Sequence, residues 1–535
     1  MASVIKDLGL IDMINARLVP DAQDVMTPGE AVAGMILNGL GFANRPLSLT
    51  PPFFANKPLD RLCRDGMRAD MFNRLKLGRI LDEAYAYGCD LLLQELALAV
   101  CAQEGIDLRC NHLDTTSFAR SGDYVPDGNE RAMRITHGYS KDHRPDLKQA
   151  VLELMVSQDD GVPFVSKSWD GNSSDTQIFQ ERAQAFMSAL KTSPSPRYLM
   201  ADAKRSTADN AANLQGLSCI TRLANTLGVV SHVIAQALTW DTWHAFDETT
   251  RDQGVELCHY GMAQRWLVVY SQAALERAEA PVNKAMPRDY AAIEKPLVHL
   301  QAKRFSTPET AQDALAMLMK GWQYHQLESS NLIAHQRYAS KGRPTPSTPA
   351  KDTPWHIQTH VRPAEEAIWH RKQLKACCVL STNIAPSELS DTAVIAAYKS
   401  QSRVEGGFRC LKDPLLFVSS LFVKKPCRVQ GLLMVMTLAL LVYSVAQRRL
   451  RQPLAHRRTT VPNQINQPTA APTLRWVFQL LDGIHRVRVT IPGQVHALIE
   501  GLTDIQIKVL RLFGPTARKL RSGVISLVYY YGYGI

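Results

Sequence analysis

The chain has 535 residues, of which 45% are hydrophobic and 21% charged, a composition that excludes a disordered protein. At about 150 residues per domain, this length predicts three or four domains. The 61 Lys and Arg residues exceed the 50 Asp and Glu residues by 11, and residues 428–535 hold that whole excess, with 14 basic and 3 acidic residues. We therefore expect a basic C-terminal portion that holds a polyanion, most commonly nucleic acid, and bridges a dimer; a solubilising basic surface would have the same charge.

The ten cysteines contain no CxxC pair, which indicates a reducing compartment, and we expect a cytoplasmic protein. Residues 429–447 carry no charge over 19 positions, which is the lower limit for a membrane-spanning helix. The segment contains five polar side chains and is flanked by Arg on both sides. We predict a helix buried in a large core, with no membrane partner, and keep a membrane protein as an alternative.

Residues 1–105 predict a helical N-terminal DNA-binding domain. The sequence Thr-Pro-Gly-Glu at 27–30 has the pattern of a capping box with Pro at the first helical position. A short helix near 59–63 followed by a helix over 75–87 could form a helix-turn-helix, although any helical domain contains such pairs.

From residue 106 the pattern changes to strands over 106–118, 147–157 and 162–169, and then alternates between strands and helices. This order predicts an α/β domain with a mixed sheet. The predicted domains are the helical domain at 1–105, a catalytic domain at 106–224 and 376–451, an insertion domain at 225–375 and a basic C-terminal segment at 452–535.

Two acids follow apolar strand patterns. Asp114 is predicted at the end of the first strand, and Asp202 at the end of a later strand over 196–201. Each acid alone is typical of a helix cap or a turn. As a pair on neighbouring strands, they could bind Mg²⁺, which prefers carboxylate oxygens. A third acid would complete a two-metal site with ions about 4 Å apart.

A long helix predicted from residue 391 past residue 405 supplies the third acid, Glu405. Tyr398, Gln401, Glu405 and Lys412 are separated by three, four and seven positions. These steps place all four near one face of a single helix. The solvated face of an ordinary amphipathic helix would have a similar pattern.

This spacing resembles the Y-x2-R-x3-E-x6-K signature of DDE transposases from bacterial cut-and-paste insertion sequences. Further similar segments follow in the same order along the chain, from NGLGF at 38–42 to TLRWVFQLLDGI at 473–484. They include HLDTTSF at 112–118, HGYSKDHRPDLKQ at 137–149, GNSSD at 171–175 and QRWLVVYS at 264–271.

The resemblance implies a ribonuclease-H-like catalytic domain in which Asp114, Asp202 and Glu405 are the catalytic, metal-binding triad. It implies two Mg²⁺ ions, with Mn²⁺ as a substitute. Gln401 departs from the Arg of the signature, so that DNA contact would be weaker or supplied by a neighbouring Arg. The implied DNA contacts are Tyr398, Gln401, Arg403, Arg409 and Lys412, with Lys141, Arg144 and Lys148 in a loop that could also be merely exposed.

The implied activity is metal-dependent cleavage at transposon ends, followed by strand transfer into target DNA, with a DNA hairpin as the intermediate. The implied partners are double-stranded DNA with terminal inverted repeats, target DNA and a second copy of the chain. Two alternatives remain: a nuclease of the same fold without strand transfer, and an inactive DNA-binding repressor or decayed copy. Because 203 residues separate Asp202 from Glu405, a domain of about 150 residues must be inserted there. Its tryptophans (Trp240, Trp243, Trp266 and Trp322) could stack on a displaced base, although core packing is their commoner role.

Overall fold

The computed structural model describes residues 1–41, 47–120, 132–175, 198–201, 218–338, 350–413, 423–482, 486–491, 494–499 and 502–514, together with positions 122, 124, 177, 178, 181, 182, 484, 516 and 517. The chain forms two compact units. Unit 1 comprises residues 1–221 and 396–535, and unit 2 comprises residues 222–395. The predicted helices after residues 174 and 210 lie largely outside the described residues.

Unit 1 begins with seven helices: α1 (Ala2–Asp7), α2 (Leu10–Asn15), α3 (Pro28–Gly39), α4 (Thr50–Phe54), α5 (Leu59–Leu62), α6 (Arg74–Tyr87) and α7 (Cys89–Glu104). The predicted capping box at the start of α3 is confirmed. The Glu30 amide donates to Thr27 Oγ1 at 3.2 Å, and the Thr27 amide donates to the Glu30 carboxylate at 2.9 Å. These bonds satisfy two amides that the first turn of a helix leaves without partners.

Two features of the structure bear on the predictions for this helical region. A 3-10 helix at Ala69–Phe72 lies between α5 and α6, so they are not joined by the short turn of a helix-turn-helix. The helices also lack a core of their own, because one hydrophobic cluster contains Ile36 of α3, Leu93 of α7, and residues of the sheet and of the last long helix. The helical region and the sheet therefore contribute to one hydrophobic cluster within unit 1, and the DNA-binding role of residues 1–105 stays a prediction.

The sheet of unit 1 confirms the predicted mixed α/β class. Its strands are β1 (Cys110–Arg120), β2 (Lys148–Ser157), β3 (Pro163–Trp169), β4 (Tyr198–Ala201) and β5 (Cys219–Leu223), in the order β3-β2-β1-β4-β5. β1, β2 and β3 pair antiparallel, whereas β4 pairs in parallel with both β1 and β5. Strand β1 therefore has an antiparallel neighbour on one side and a parallel neighbour on the other.

The apolar segment at 429–447 lies inside a 31-residue helix, which we number α14 (Pro426–His456). This helix is long and apolar enough to cross a membrane, and 89% of its apolar window is buried. It packs against α3, α6, α7 and β3. At Gly431 a Cβ atom would lie 3.0 Å from the carbonyl oxygen of Leu81, so glycine permits close approach to α6. The predicted burial in a large core is confirmed.

Unit 2 contains β6 (His244–Asp247), β7 (Thr250–His259), β8 (Met262–Ser271), and β13 (Cys377–Thr382), which pair antiparallel in the order β13-β8-β7-β6. Its helices are α8 (Gly228–Ala237), α9 (Gln272–Ala302), α10 (Pro308–Met319) and α11 (Glu365–Ala376). Two small antiparallel pairs complete it: β9 (His325–Ala334) with β12 (Trp355–Pro363), and β10 (Arg337–Tyr338) with β11 (Ala350–Asp352). All four tryptophans named above pack into or against the cores of unit 2, which supports a structural role for them.

Two helices that bear on the site lie where the chain passes from unit 2 back into unit 1. They are α12 (Asp391–Lys399), whose last turn belongs to unit 1, and α13 (Ser402–Lys412). The C-terminal portion adds α15 (Leu474–Leu480), α16 (Asp504–Leu512) and two short strand pairs, β14 (Val461–Pro462) with β15 (Pro468–Thr469) and β16 (Arg486–Ile491) with β17 (Gln494–Ile499).

Candidate active site

Asp114 lies within β1, and not at its end as predicted, because β1 continues to Arg120. The antiparallel register places it opposite Leu154 of β2. Its side chain is half-buried, and Oδ1 accepts a hydrogen bond of 2.7 Å from the Thr115 amide. The neighbouring strand β4 pairs in parallel with β1 through Met200 and His112, and it ends at Ala201.

Helix α13 covers the face of the sheet on which Asp114 lies. Side chains directly opposite each other on paired strands share a face, so Leu154 points to the same side as Asp114. A Cβ atom at Gly407 of α13 would lie 3.6 Å from Leu154 Cδ2. The buried side of the helix comprises Val404, Gly407, Phe408 and Leu411. The helix that carries the third predicted acid is therefore docked over the strand that carries the first.

The single long helix predicted through Tyr398 and Glu405 is instead two helices, with a break at residues 400–401. At the break, Ser400 Oγ donates to the carbonyl oxygen of Ala397 at 2.6 Å. A serine bonded to its own backbone in this way competes with helical hydrogen bonds. Tyr398 thus lies in the last turn of α12 and Gln401 immediately precedes α13, so the prediction that all four signature residues share one helix face is wrong.

Of the two remaining acids of the predicted triad, Glu405 lies within the described residues and Asp202 does not. Glu405 lies in the first turn of α13, and its side chain is exposed. Asp202 follows β4 in the sequence and lies outside the described residues. Among the residues that the structure describes, no three His, Cys, Asp or Glu side chains form a metal-binding group. The triad therefore stays a prediction, with Asp114 on β1 and Glu405 on the helix above it.

Lys141, a predicted phosphate contact, is bound within the protein. Its ammonium group donates to the carbonyl oxygen of Thr115 at 2.7 Å and to Thr115 Oγ1 at 2.6 Å. It also forms an ion pair of 3.2 Å with Asp175. These contacts anchor the loop that precedes β2 to the strand that carries Asp114. Lys141 therefore has a structural role.

Replacing Lys141 by Met is expected to lower the free energy of unfolding by about 2 kcal/mol, because the hydrogen bonds from a charged donor to Thr115 and the ion pair with Asp175 are lost. Urea denaturation followed by circular dichroism measures this change. Arg144→Gln is the matched control, because Arg144 is exposed and pairs only locally, with Asp146 at 2.7 Å. Equal stability of the two variants would contradict the structural role of Lys141.

Lys412, at the end of the signature, is held by an acid that the sequence did not single out. Its ammonium group lies 2.6 Å from a carboxylate oxygen of Asp142 and 5.8 Å from the centroid of the Phe118 ring. Both side chains of the ion pair are partly exposed. A phosphate that binds Lys412 must therefore compete with this carboxylate.

The other predicted DNA contacts lie on or next to α13 and at the start of β2. The Arg403 guanidinium donates to the carbonyl oxygen of Gln158, and the backbone N–H of Gln401 donates to the carbonyl oxygen of Tyr398 at 2.9 Å. Arg409 is exposed on α13. Lys148 begins β2 opposite Arg120 and is half-buried. The side chains of Arg403 and Lys412 therefore already have partners within the protein, and DNA would have to compete with these partners.

Basic side chains of α14 and α15 in the C-terminal portion form ion pairs inside unit 1, so part of the charge excess is compensated within the protein. The pairs are Arg428 with Asp82, Arg448 with Asp159, Arg449 with Asp7 and Glu104, and Arg475 with Asp413. Their charge is compensated by acids distant in sequence. Arg457 and Arg458, just after α14, are exposed. DNA binding by this portion stays a prediction.

His112 was missed as a site residue, although its position offered a signal. It lies two residues before Asp114 on β1, and alternate residues of a strand share a face. Its side chain is buried and its Nε2 lies 2.8 Å from Ser400 Oγ. Burial, followed by the charge of Arg403, lowers the pKa of His112 to about 4, so its imidazole is neutral at pH 7.

The chain is similar to known proteins either over a short part of its length or at low sequence identity. Residues 1–98 match a family described as a domain of unknown function, DUF4277. No curated protein matches the chain. The fold was also compared with a cryo-EM structure of a piggyBac transposase synaptic complex with hairpin DNA. The match covers 82% of this chain and 73% of that one, with 8% sequence identity and a TM-score of 0.33. A superposition of that quality decides neither the fold nor the activity.

Proposed function

We propose that this protein is a DDE transposase of the bacterial insertion-sequence type, which cleaves transposon ends in a metal-dependent reaction and joins them to target DNA. The observation that carries the proposal is the placement of α13, with Glu405, over the face of β1 that holds Asp114. The resemblance in sequence assigns these two acids, with Asp202, to one triad. Their elements pack together although 291 residues separate Asp114 from Glu405.

The sheet supports a ribonuclease-H-like catalytic domain. β1 lies between antiparallel β2 and parallel β4, and β4 ends one residue before Asp202. β4 pairs through Met200 with His112, two residues before Asp114. The strand that carries Asp114 and the strand that precedes Asp202 are therefore direct neighbours, as a shared metal site on paired strands requires.

The donor set suits Mg²⁺, because carboxylates are the ligands that this ion prefers. Asp114, Asp202 and Glu405 would hold it, and bound ions would activate water and stabilise the leaving oxygen. Asp114 is positioned by the rigid centre of β1, and the Thr115 amide orients one of its oxygens. Lys412 would contact a DNA phosphate after it separates from Asp142. No covalent enzyme intermediate is needed, since positioning and charge stabilisation carry phosphoryl transfer.

The test uses purified full-length protein with a DNA fragment that ends in the inverted repeats flanking its coding region, plus a target plasmid. We expect Mg²⁺-dependent cleavage at the ends and insertion of the fragment into the plasmid, both also supported by Mn²⁺. Cleavage without insertion would identify a nuclease of this fold. Specific binding to the repeats without cleavage would identify a repressor or a decayed copy, and either outcome would overturn the proposal.

A second experiment tests the predicted competition at Lys412. Replacing Asp142 by Asn removes the carboxylate that pairs with Lys412, so we expect tighter DNA binding in the absence of metal. Fluorescence anisotropy at several salt concentrations measures the affinity. Asp146→Asn is the matched control, because Asp146 is an exposed acid of the same loop that pairs with Arg144 instead. If both variants tighten binding equally, the effect comes from the loss of one negative charge near the DNA and not from the release of Lys412.

A further inference from the structure

A side-chain hydrogen bond between His112 and Ser400 joins β1 to the break between α12 and α13. The His112 Nε2 to Ser400 Oγ distance is 2.8 Å, across 288 positions of sequence. Both residues belong to unit 1. His112 precedes Asp114 by two residues on the same strand face, and Ser400 precedes Glu405 by five residues.

The direction of this bond follows from the number of protons that each group can donate. A serine hydroxyl has one proton, and Ser400 Oγ donates it to the carbonyl oxygen of Ala397 at 2.6 Å. Ser400 must therefore accept from His112, which places a proton on Nε2 of the imidazole. The chain of bonds then runs from β1 through Ser400 to the last turn of α12, and it needs a donor at the Nε2 position.

We propose that His112 is a positioning residue, which holds the start of the Glu405 helix over the strand face that carries Asp114 through the hydroxyl of Ser400. This inference rests on the proposed function, because it assigns a purpose to the distance between Asp114 and Glu405. His112 itself binds neither metal nor DNA.

The burial of His112 supports a specific role. The side chain is 1% exposed, and its Nδ1 is among the buried side-chain atoms of the described residues that have no hydrogen-bond partner. An apolar side chain would fill this position without burying an unsatisfied nitrogen. The imidazole is thus unfavourable as core packing, and the bond to Ser400 is what it contributes.

The position of the break explains why this bond matters for Glu405. Glu405 lies in the first turn of α13, where Val404 is buried against the sheet and the Arg403 guanidinium donates to the carbonyl oxygen of Gln158. Residues 400–401 interrupt the helical hydrogen bonds just before that turn. The His112 bond sets the position of the backbone that enters this turn, so its loss shifts the start of α13, with Glu405, relative to Asp114.

The test measures Mn²⁺ binding to the full-length protein without DNA, by calorimetry, and the Mg²⁺ concentration for half-maximal cleavage. His112→Leu removes the donor, and Ser400→Ala removes the acceptor. We expect each variant to weaken metal binding and raise the Mg²⁺ midpoint by about tenfold, as loss of outer-shell partners does. The double variant should be no weaker than the singles. His112→Gln, with a donor near the Nε2 position, should restore most of the affinity.

Metal-free DNA binding serves as the control for folding and should be unchanged in all variants. If folded His112→Leu and Ser400→Ala proteins keep the metal affinity and Mg²⁺ midpoint of the parent protein, the inference is overturned and the proposed function stands. If His112→Gln is as impaired as His112→Leu, shape and not the hydrogen bond explains the effect, which also overturns it. A parent protein that neither binds metal nor cleaves DNA would overturn the proposed function, and this inference with it.

Discussion

Replacing Asp114 by Asn is expected to reduce Mg²⁺-dependent cleavage of transposon ends by at least about a thousandfold. Metal ions supply several kcal/mol of transition-state stabilisation, and each 1.36 kcal/mol corresponds to a factor of ten in rate. An amide has the shape of the carboxylate but carries no charge, so it binds the ion poorly. The rate of single-turnover cleavage measures the loss, and binding to the same DNA without metal should persist.

The matched control is Asp107→Asn. Asp107 lies three residues before β1 and is paired with Arg109 at 2.8 Å on the surface. The same chemical change there should leave the cleavage rate unchanged. If Asp114→Asn cleaves as fast as the control, Asp114 is not a metal ligand, and the proposed triad is wrong whatever the activity of the protein.

Replacing Arg448 by Met is expected to lower the free energy of unfolding by about 3 kcal/mol, because removing one partner of a buried ion pair leaves the other uncompensated. The Arg448 side chain is 10% exposed. Its guanidinium donates to Asp159 at 2.8 Å and to the carbonyl oxygens of Glu104 and Gly105 at 3.0 and 3.3 Å. These bonds join α14 to the end of α7 and to the turn between β2 and β3. Urea denaturation measures the change.

Arg457→Met is the control for Arg448, because Arg457 is exposed immediately after α14. We expect it to leave stability unchanged and, where this surface meets DNA, to weaken binding and reduce the salt dependence by about one phosphate contact. If Arg448→Met unfolds at the same urea concentration as the parent protein, the ion pair has no structural importance. The basic C-terminal portion would then be available to DNA to a larger extent than the structure indicates.

Local patterns predicted the elements of the fold well. The strands β1, β2 and β3, the helix within 426–456 and the capping box at Thr27 all follow from hydrophobic period and cap chemistry, which depend on residues a few positions apart. The predicted continuation of α12 into α13 failed for a local reason that periodicity does not register. Ser400 uses its hydroxyl to bond its own backbone and ends the helix.

The placement of candidate site residues was predicted only in part. Spacing singled out Asp114 and Glu405, but neither the docking of α13 over β1 nor the role of His112 can be read from spacing, because Ser400 lies 288 residues from His112. Asp142 was likewise passed over, since nothing near it in sequence indicates that Lys412 is its partner. The assignment of Asp202 remains a prediction.

The basic excess beyond residue 427 shows the same difference between what local sequence determines and what the tertiary structure determines. The sequence by itself determined its size and its place in the chain, because charge is a property of each residue. Only the tertiary structure decided how much of that charge is compensated, because Arg428, Arg448 and Arg449 meet acids more than 280 residues earlier in the chain. Coulombic compensation depends on distance in space and on burial, and chain folding sets both.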